Sequence, residues 1–319
     1  MNSTLMDHAT ETMAVGSKSF ATASKLFDAP TRRSALMLYA WCRYCDDVID
    51  GQVLGFHHPA TSSGSALQRL EMLKTQTQRA FAGAGMQEPA FAAFQEVATR
   101  HSIPPQLAFD HLEGFAMDVR ETRYETFEDT LRYCYHVAGV VGLMMARIMG
   151  VRDEAVLDRA CDLGLAFQLT NIARDIVEDA QAGRCYLPAQ WLAAEGMSAA
   201  QIPDPVCRPQ LARLARLAQR LVAEAEPYYA SALAGLPGLP LRSAWAIASA
   251  HGVYREIGVK VSAAGPRAWD RRQGTHRLEK VGLLIKGAAL ALGSRVANPL
   301  PRDPALWQRP RRKNAHHGL

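Results

Sequence analysis

Two groups of oxygen-bearing side chains have a spacing that could bind metal ions. Asp46 and Asp50 are four residues apart, so they lie on one face of a helix. Asn171, Asp175 and Asp179 repeat the same four-residue step over two helical turns. The first group alone is also compatible with a solvated surface patch, although the helix dipole disfavours negative charge at a helix C-terminus unless a cation is present.

The second group makes a cation site the better interpretation. Its helix is otherwise apolar, so the polar stripe is expected to face a cavity. Carboxylates about 6 Å apart repel each other by roughly 3 kcal/mol at an effective dielectric constant of about 20. Oxygen ligands without histidine or cysteine select Mg²⁺ or Mn²⁺ over zinc. Two such stripes facing each other could hold a diphosphate through these ions.

Arginines lie next to both acidic groups: Arg43, Arg174 and Arg184. A guanidinium donates two parallel hydrogen bonds to phosphate oxygens, so these residues are candidate diphosphate ligands. Gly16 to Ser19 lacks the glycine spacing of a nucleotide-binding P-loop, which points away from ATP chemistry.

The elements that must position these residues are predicted to be helices. Apolar residues recur every three to four positions, and β-branched runs are scarce. The predicted helices are Arg32–Asp50, Ala66–Ala82, Glu88–Arg100, Leu107–Val119, Thr130–Met149, Asp153–Ala180, Pro209–Ala234, Leu241–Val261 and Leu278–Leu292. Segments 53–64 and 202–209 are predicted loops. We therefore expect one all-α domain over residues 1–293 and a flexible Pro/Arg-rich basic tail over 294–319.

Composition is typical of a soluble globular chain, with 48% apolar and 21% charged residues. The net charge of +5 is too small to argue for nucleic-acid binding. No signal peptide precedes the domain, and the apolar runs are too short to cross a bilayer. Cys42 and Cys45 lack a second pair for zinc, so they are interpreted as packing residues in a reducing cytoplasm. We expect a cytoplasmic protein, at most peripheral at the inner membrane surface.

Five sequence blocks resemble the squalene/phytoene synthase family, and the bacterial phytoene synthases in particular. The blocks are Ser17–Phe20 (SKSF), Tyr39–Gly51 (YAWCRYCDDVIDG), Tyr133–Gly142 (YCYHVAGVVG), Gln168–Asp179 (QLTNIARDIVED) and Gly183–Pro188 (GRCYLP). The resemblance implies the type I isoprenoid synthase fold, a helical bundle around a deep apolar cavity. It also implies a prenyltransferase that condenses two geranylgeranyl diphosphates head to head into phytoene, by way of prephytoene diphosphate. Magnesium would be the cofactor, with manganese able to substitute and no nicotinamide required.

The resemblance also implies roles for individual residues. The metal ligands would be Asp46, Asp50, Asn171, Asp175 and Asp179, and Tyr133 would join the carboxylates as a catalytic residue. The substrate-binding candidates are Gly16, Ser17, Lys18, Ser19, Tyr39, Arg43, Gln168, Arg174, Arg184 and Tyr254. Of these, Arg184 comes from the residue pattern described above rather than from the resemblance. Gly16 stands where some members of the family carry histidine.

Three other functions remain compatible with some of these features. Squalene or dehydrosqualene synthesis from farnesyl diphosphate uses the same motifs, and Ser24 is a candidate determinant of chain length. A non-catalytic relative, acting in assembly or lipid carriage, would be expected to lose metal ligands that are intact here. Nucleic-acid binding rests only on the basic tail. Basic residues at 267, 271, 272, 277 and 309–313 are expected instead to contact an anionic membrane.

Overall fold

Ala- and Leu-rich segments form helices throughout the computed structural model, which describes residues 5–6, 9–10, 12–13, 18–53, 56–57, 64–202 and 208–311. The α-helices from residue 18 onward are α1 Lys18–Ser24, α2 Ala29–Asp50, α3 Ala66–Phe81, α4 Pro89–His101, α5 Pro105–Val119, α6 Phe127–Cys134, α7 Val140–Ile148, α8 Glu154–Gln181, α9 Ala189–Ala194, α10 Arg208–Leu233, α11 Leu241–Ala264 and α12 Arg277–Gly293. The all-α expectation is confirmed. Sequence patterns did not predict α1 and α9.

Local capping explains where the helix with the first acidic stripe begins and ends. The Asp28 side chain accepts a hydrogen bond from the backbone N–H of Thr31 at 2.9 Å, and Pro30 occupies the first turn. Gly51 ends the helix in the left-handed conformation, with φ of 65°. Beyond it, a minimal antiparallel hairpin pairs β1 Gln52–Val53 with β2 Phe56–His57, where a loop was expected.

Helix α8 forms the centre of the molecule. Most of its residues between Leu157 and Ala180 are buried, and it packs against α7, α10 and α11. The second acidic stripe lies on this helix, where Asn171, Asp175 and Asp179 are half-buried. Two glycines, Gly142 and Gly164, allow the segment 138–142 to approach α8 closely. A Cβ atom on Gly142 would lie 2.3 Å from the carbonyl oxygen of Ala160, and one on Gly164 would lie 2.4 Å from that of Ala138.

The predicted continuous helix over residues 130–149 is interrupted. Tyr135–Gly139 form one π-helical turn between α6 and α7. Such an insertion changes the direction in which the following side chains point, and periodicity alone does not reveal it.

The expected flexible tail is not what the structure shows for residues 302–311. Arg302 donates to the buried carboxylate of Asp162 at 2.7 and 2.8 Å, and Arg309 donates to Asp158 at 2.7 Å. Leu306 is buried among core residues. Glu154, Asp158 and Asp162, near the N-terminal end of α8, neutralise the arginines, so this segment packs on the domain. Residues 312–319 lie outside the described part of the chain.

None of the helices described here is both long and apolar enough to cross a membrane.

Candidate active site

An apolar cavity of about 320 Å³ runs along α8. Its wall includes Gln168 and Asn171 toward one end of α8 and Val156 toward the other. These positions are fifteen residues apart, which corresponds to about 22 Å at 1.5 Å per residue. Residues from α2, α5, α7, α10 and α11 and from the π-helical turn also line it. The expected apolar cavity is therefore present, and its polar end lies beside the second acidic stripe.

The first acidic stripe lies at the C-terminal end of α2 among arginines. Arg43 approaches Asp46 at 3.2 Å and Asp47 at 2.8 Å. Arg184 pairs with Asp50, with one Nη1–Oδ2 distance of 3.4 Å. Burial, with the neighbouring Asp50 charge adding to it, raises the pKa of Asp46 to about 6. The Asp46 side chain is nevertheless 43% exposed, so solvent reaches this carboxyl and a cation could also reach it.

The second stripe lies on α8, as predicted. The Asn171 amide donates to Gln168 at 3.3 Å, and the Arg174 Nε donates to Asp175 at 2.8 Å. Burial, followed by the charge of Asp175, raises the pKa of Asp179 to about 7. Burial is the larger cause of this shift and the negative charge of Asp175 the second, and a divalent cation beside the two carboxyls would offset both.

Arg184 connects the two stripes. Besides its pairing with Asp50, its charge lowers the pKa of Asp46 on α2 and of Asp179 on α8. The two carboxylate groups thus share one electrostatic environment, although they are more than a hundred residues apart in the sequence.

The donor set suits a hard divalent cation that keeps part of its coordination shell for other ligands. All the candidate ligands are oxygen atoms, and two of the carboxyls have raised pKa values. Within the described residues no three acidic, histidine or cysteine side chains converge on one point. Magnesium commonly binds through one or two carboxylates together with water and substrate phosphate oxygens, so this arrangement fits it.

Two of the three predicted tyrosines line the cavity. Tyr39 and Tyr254 lie on its wall, and Tyr254 stacks on Phe167 with ring centroids 4.1 Å apart. Burial raises the pKa of Tyr39 to about 12, so its hydroxyl stays protonated. Aromatic faces at this position can stabilise a carbocation without reacting with it.

Tyr133 lies elsewhere. It is buried, its ring stacks on Tyr186 at 4.4 Å, and its hydroxyl donates to Asp118 at 3.2 Å. Tyr186 donates to the other oxygen of the same carboxylate at 3.1 Å. Burial raises the pKa of Asp118 to about 6, while Arg184 lowers it. Asp118, Arg184 and Tyr186 also line a second, more polar cavity of about 730 Å³.

Sequence reasoning missed Asp118 and Arg272. Asp118 belongs to none of the five sequence blocks. Arg272 was expected at a membrane surface, but it donates to Asp175 at 3.1 Å and to Glu178 at 2.8 Å. Neither position carried a local signal, because each reaches the site only through the packing of distant segments.

The predicted substrate-binding positions 16–19 lie wholly or partly outside the described residues. Gly16 and Ser17 lie outside the described residues, as do the side chains of Lys18 and Ser19.

Ser24 is buried, and its hydroxyl donates to the Ala21 carbonyl at 3.0 Å. Ser24 is not one of the residues on the cavity wall, and its influence on chain length stays a prediction. Of the cysteine pair, Cys45 packs in the core, while Cys42 lies on the cavity wall.

Comparison with known proteins places these features in a family. Residues 13–280 match the family model described as squalene/phytoene synthase. The chain is 67% identical to a 15-cis-phytoene synthase of Pantoea ananas over 97% of its length and 99% of that protein. It is 63% identical to a phytoene synthase of Pseudescherichia vulneris, covering 96% and 98% of the two chains. A crystal structure of a dehydrosqualene synthase superposes with a TM-score of 0.79 at 27% identity, covering 91% of this chain and 98% of the other.

Proposed function

The chain belongs to the squalene/phytoene synthase family, and we propose that it condenses two geranylgeranyl diphosphates head to head into phytoene, with release of diphosphate, in carotenoid biosynthesis. The observation that carries this proposal is the position of the apolar cavity, whose polar end lies beside the acidic stripe of α8. High identity over almost the whole length to bacterial phytoene synthases supports the same activity.

The residues of the polar end would bind and orient the diphosphate groups. Arg43, Arg174 and Arg184 carry guanidinium groups beside the carboxylates, where they can donate to phosphate oxygens as negative charge develops on the leaving group. Gln168 reaches the same end of the cavity. The apolar wall then excludes water from the allylic cation, and Tyr39 and Tyr254 offer their rings to it.

A divalent metal would be held by Asp46 and Asp50 on α2 and by Asn171, Asp175 and Asp179 on α8. When bound, Mg²⁺ or Mn²⁺ neutralises the diphosphate oxygens and makes diphosphate a better leaving group. The choice of magnesium follows from the oxygen-only donor set. No nicotinamide is needed, because loss of a proton rather than gain of a hydride completes the reaction.

Synthesis of a thirty-carbon product from farnesyl diphosphate is the competing activity within the family. The dehydrosqualene synthase structure shows that the same fold can carry it. Three bacterial relatives with 63–68% identity are named phytoene synthases, which favours the longer substrate.

The decisive experiment supplies purified protein with geranylgeranyl or farnesyl diphosphate and identifies the hydrocarbon by gas chromatography and mass spectrometry. We expect phytoene with Mg²⁺ or Mn²⁺ alone and no product in EDTA. A product that forms only after NADPH is added, or only from farnesyl diphosphate, would show that the proposal is wrong.

Because the substrates and product are oily, we also propose that the protein contacts an anionic membrane at the cytoplasmic surface. The tail arginines are poor candidates for that contact, since Arg302, Arg309 and Arg311 are paired with acids of α8. The contact surface must therefore be sought elsewhere on the molecule.

A further inference from the structure

Helix α12 presents an apolar stripe to solvent. Leu278, Val281, Ile285 and Leu292 are between 53% and 87% exposed. Their spacing of three, four and seven residues places them on one side of the helix. Val296 and Leu300, just beyond the helix, are also exposed. A continuous apolar surface of this kind marks an interaction site more often than scattered single residues do.

The opposite side of α12 is closely packed on α11. A Cβ atom on Gly287 would lie 2.4 Å from the Ser249 hydroxyl, and the Trp245 indole donates to the Leu284 carbonyl at 2.8 Å. Residues of α11 in turn line the apolar cavity. Helix α12 is therefore a rigid outer layer beside the cavity, and its exposed stripe does not result from loose packing.

Positive charge is concentrated around the same helix. Residues 271–295 contain six basic side chains and one acidic side chain, which gives a net charge of +5. The whole chain also has a net charge of +5, so the rest of the chain is balanced. Arg272, just before the helix, is paired with Asp175 and Glu178, so the other five basic side chains of this set form the basic surface. Its pairing with Asp175 places this end of the helix beside the candidate metal site.

We infer that the exposed face of α12 is the element that docks the protein on an anionic lipid bilayer. The helix would lie parallel to the surface, with its leucine and isoleucine side chains among the acyl chains and its basic side chains at the headgroups. This inference rests on the proposed function, since an enzyme that takes oily substrates gains from a cavity held beside the lipid phase. The charge around the stripe favours anionic lipid over a second copy of the chain, which would bring like charges together.

The test compares two double variants of the full-length protein. Leu278→Glu/Ile285→Glu places charge on the stripe, and Leu67→Glu/Met72→Glu makes the same change at exposed residues of α3. Binding is measured by co-sedimentation with phosphatidylcholine vesicles that contain phosphatidylglycerol. We expect the stripe variant to lose roughly tenfold or more of its binding, because two large apolar side chains no longer enter the bilayer. The control should bind like the unmodified protein.

The remaining outcomes separate this inference from the proposed function. Activity on detergent-solubilised geranylgeranyl diphosphate should be equal in both variants, which also shows that both fold. Unchanged vesicle binding of the stripe variant would overturn the docking assignment while leaving the enzymatic proposal intact. If analytical ultracentrifugation finds a dimer that only the stripe variant dissociates, the face is an interface between copies and the lipid assignment is wrong.

A separate observation concerns Asp118 on α5. Its two carboxylate oxygens accept one hydrogen bond each from Tyr133 and Tyr186, whose rings are stacked. Arg184, which pairs with Asp50, acts electrostatically on the same carboxylate. The cluster therefore couples a half-buried carboxylate electrostatically, through an arginine, to a candidate metal ligand, and it fixes two phenol groups beside that carboxylate.

The geometry points to Asp118 as the positioning residue that holds the Tyr133 and Tyr186 hydroxyls relative to Arg184. It acts through these groups and does not itself bind substrate. A matched control lies on the same helix. Asp110 accepts a hydrogen bond from Tyr135 at 2.9 Å but does not contact Arg184.

Asp118→Asn should lower kcat for phytoene formation by roughly a hundredfold, with KM changed by about twofold or less, because a displaced Arg184 would stabilise the leaving diphosphate less in the transition state. Asp110→Asn should keep kcat within a similar twofold range. Adding Asp118→Asn to Tyr133→Phe should cause little further loss if the two residues act as one unit. Equal kcat losses at Asp110 and Asp118, or losses that add fully with Tyr133→Phe, would show that Asp118 is merely structural.

Discussion

At the scale of single residues, we propose that the carboxylates of the two stripes bind cations rather than stabilise the fold. Asp50→Asn or Asp175→Asn should reduce turnover by roughly a hundredfold or more, since each removes a charge that stabilises the leaving diphosphate through the metal. The helical circular dichroism spectrum should not change, because the substitution relieves crowding. Near-normal turnover of either variant with magnesium would contradict the assignment. Glu71→Gln, which removes a charge from a residue 68% exposed, is the control.

The raised pKa of Asp179 gives a pH-dependent effect on stability. Its pKa is about 7 in the folded protein against an ordinary value of 3.8, so the folded state binds the proton more tightly. Its ionisation therefore destabilises the fold progressively as pH rises from about 4 to 7, and the loss is complete above 7.

We expect Asp179→Asn, measured in EDTA, to melt at a higher temperature than the unmodified protein at pH 8, with the difference disappearing near pH 4. Asp129 provides the opposite case. Backbone hydrogen bonding from Thr126 lowers its pKa, so Asp129→Asn should lose stability mainly above pH 4. If both variants respond to pH in the same direction, the interpretation of Asp179 is wrong.

At the scale of elements, the contact between α8 and the segment 138–142 depends on glycine. Gly164→Ala should reduce the free energy of unfolding by about 1–3 kcal/mol, because the added methyl group meets the Ala138 carbonyl and the Gly139 Cα. Gly282→Ala on α12 is the matched control, since nothing lies within 4 Å of its added Cβ. That change should be neutral or stabilising by up to about 1 kcal/mol through helix propensity. Urea unfolding of both variants measures the difference.

At the scale of the whole molecule, the C-terminal segment contributes to the stability of the domain. Asp162 is buried, with its side chain 1% exposed, and Arg302 is its ion-pair partner. Arg302→Ala should cost about 3–5 kcal/mol, because it leaves a buried charge uncompensated. Arg311→Ala should cost about 1 kcal/mol or less, since that arginine is 57% exposed. Similar melting temperatures for the two variants would show that the segment is not anchored as described.

Because the C-terminal segment packs on the domain, a truncation of residues 302–319 would not test membrane contact alone. The deletion removes ion pairs from the folded domain, so any loss of vesicle binding would be confounded by lost stability. Substitutions on the exposed face of α12 avoid that difficulty.

The amino-acid sequence by itself determined the features that depend on near neighbours. Apolar periodicity placed the long helices to within a few residues of their observed ends, because helix formation and capping are local. The four-residue steps of the acidic stripes likewise follow from helix geometry, and the five sequence blocks pointed to the family that the comparisons support.

Only the tertiary structure decided which distant groups meet. Asp118 and Tyr186 are 68 residues apart and Arg302 and Asp162 are 140 apart, and no periodic pattern couples such positions. From sequence alone, the tail arginines were predicted to be solvated, because nothing nearby in the chain indicates a partner. In the structure Arg302 pairs with the buried Asp162. The π-helical turn at Tyr135–Gly139, which packs against α8, likewise left no mark on the apolar periodicity of its segment.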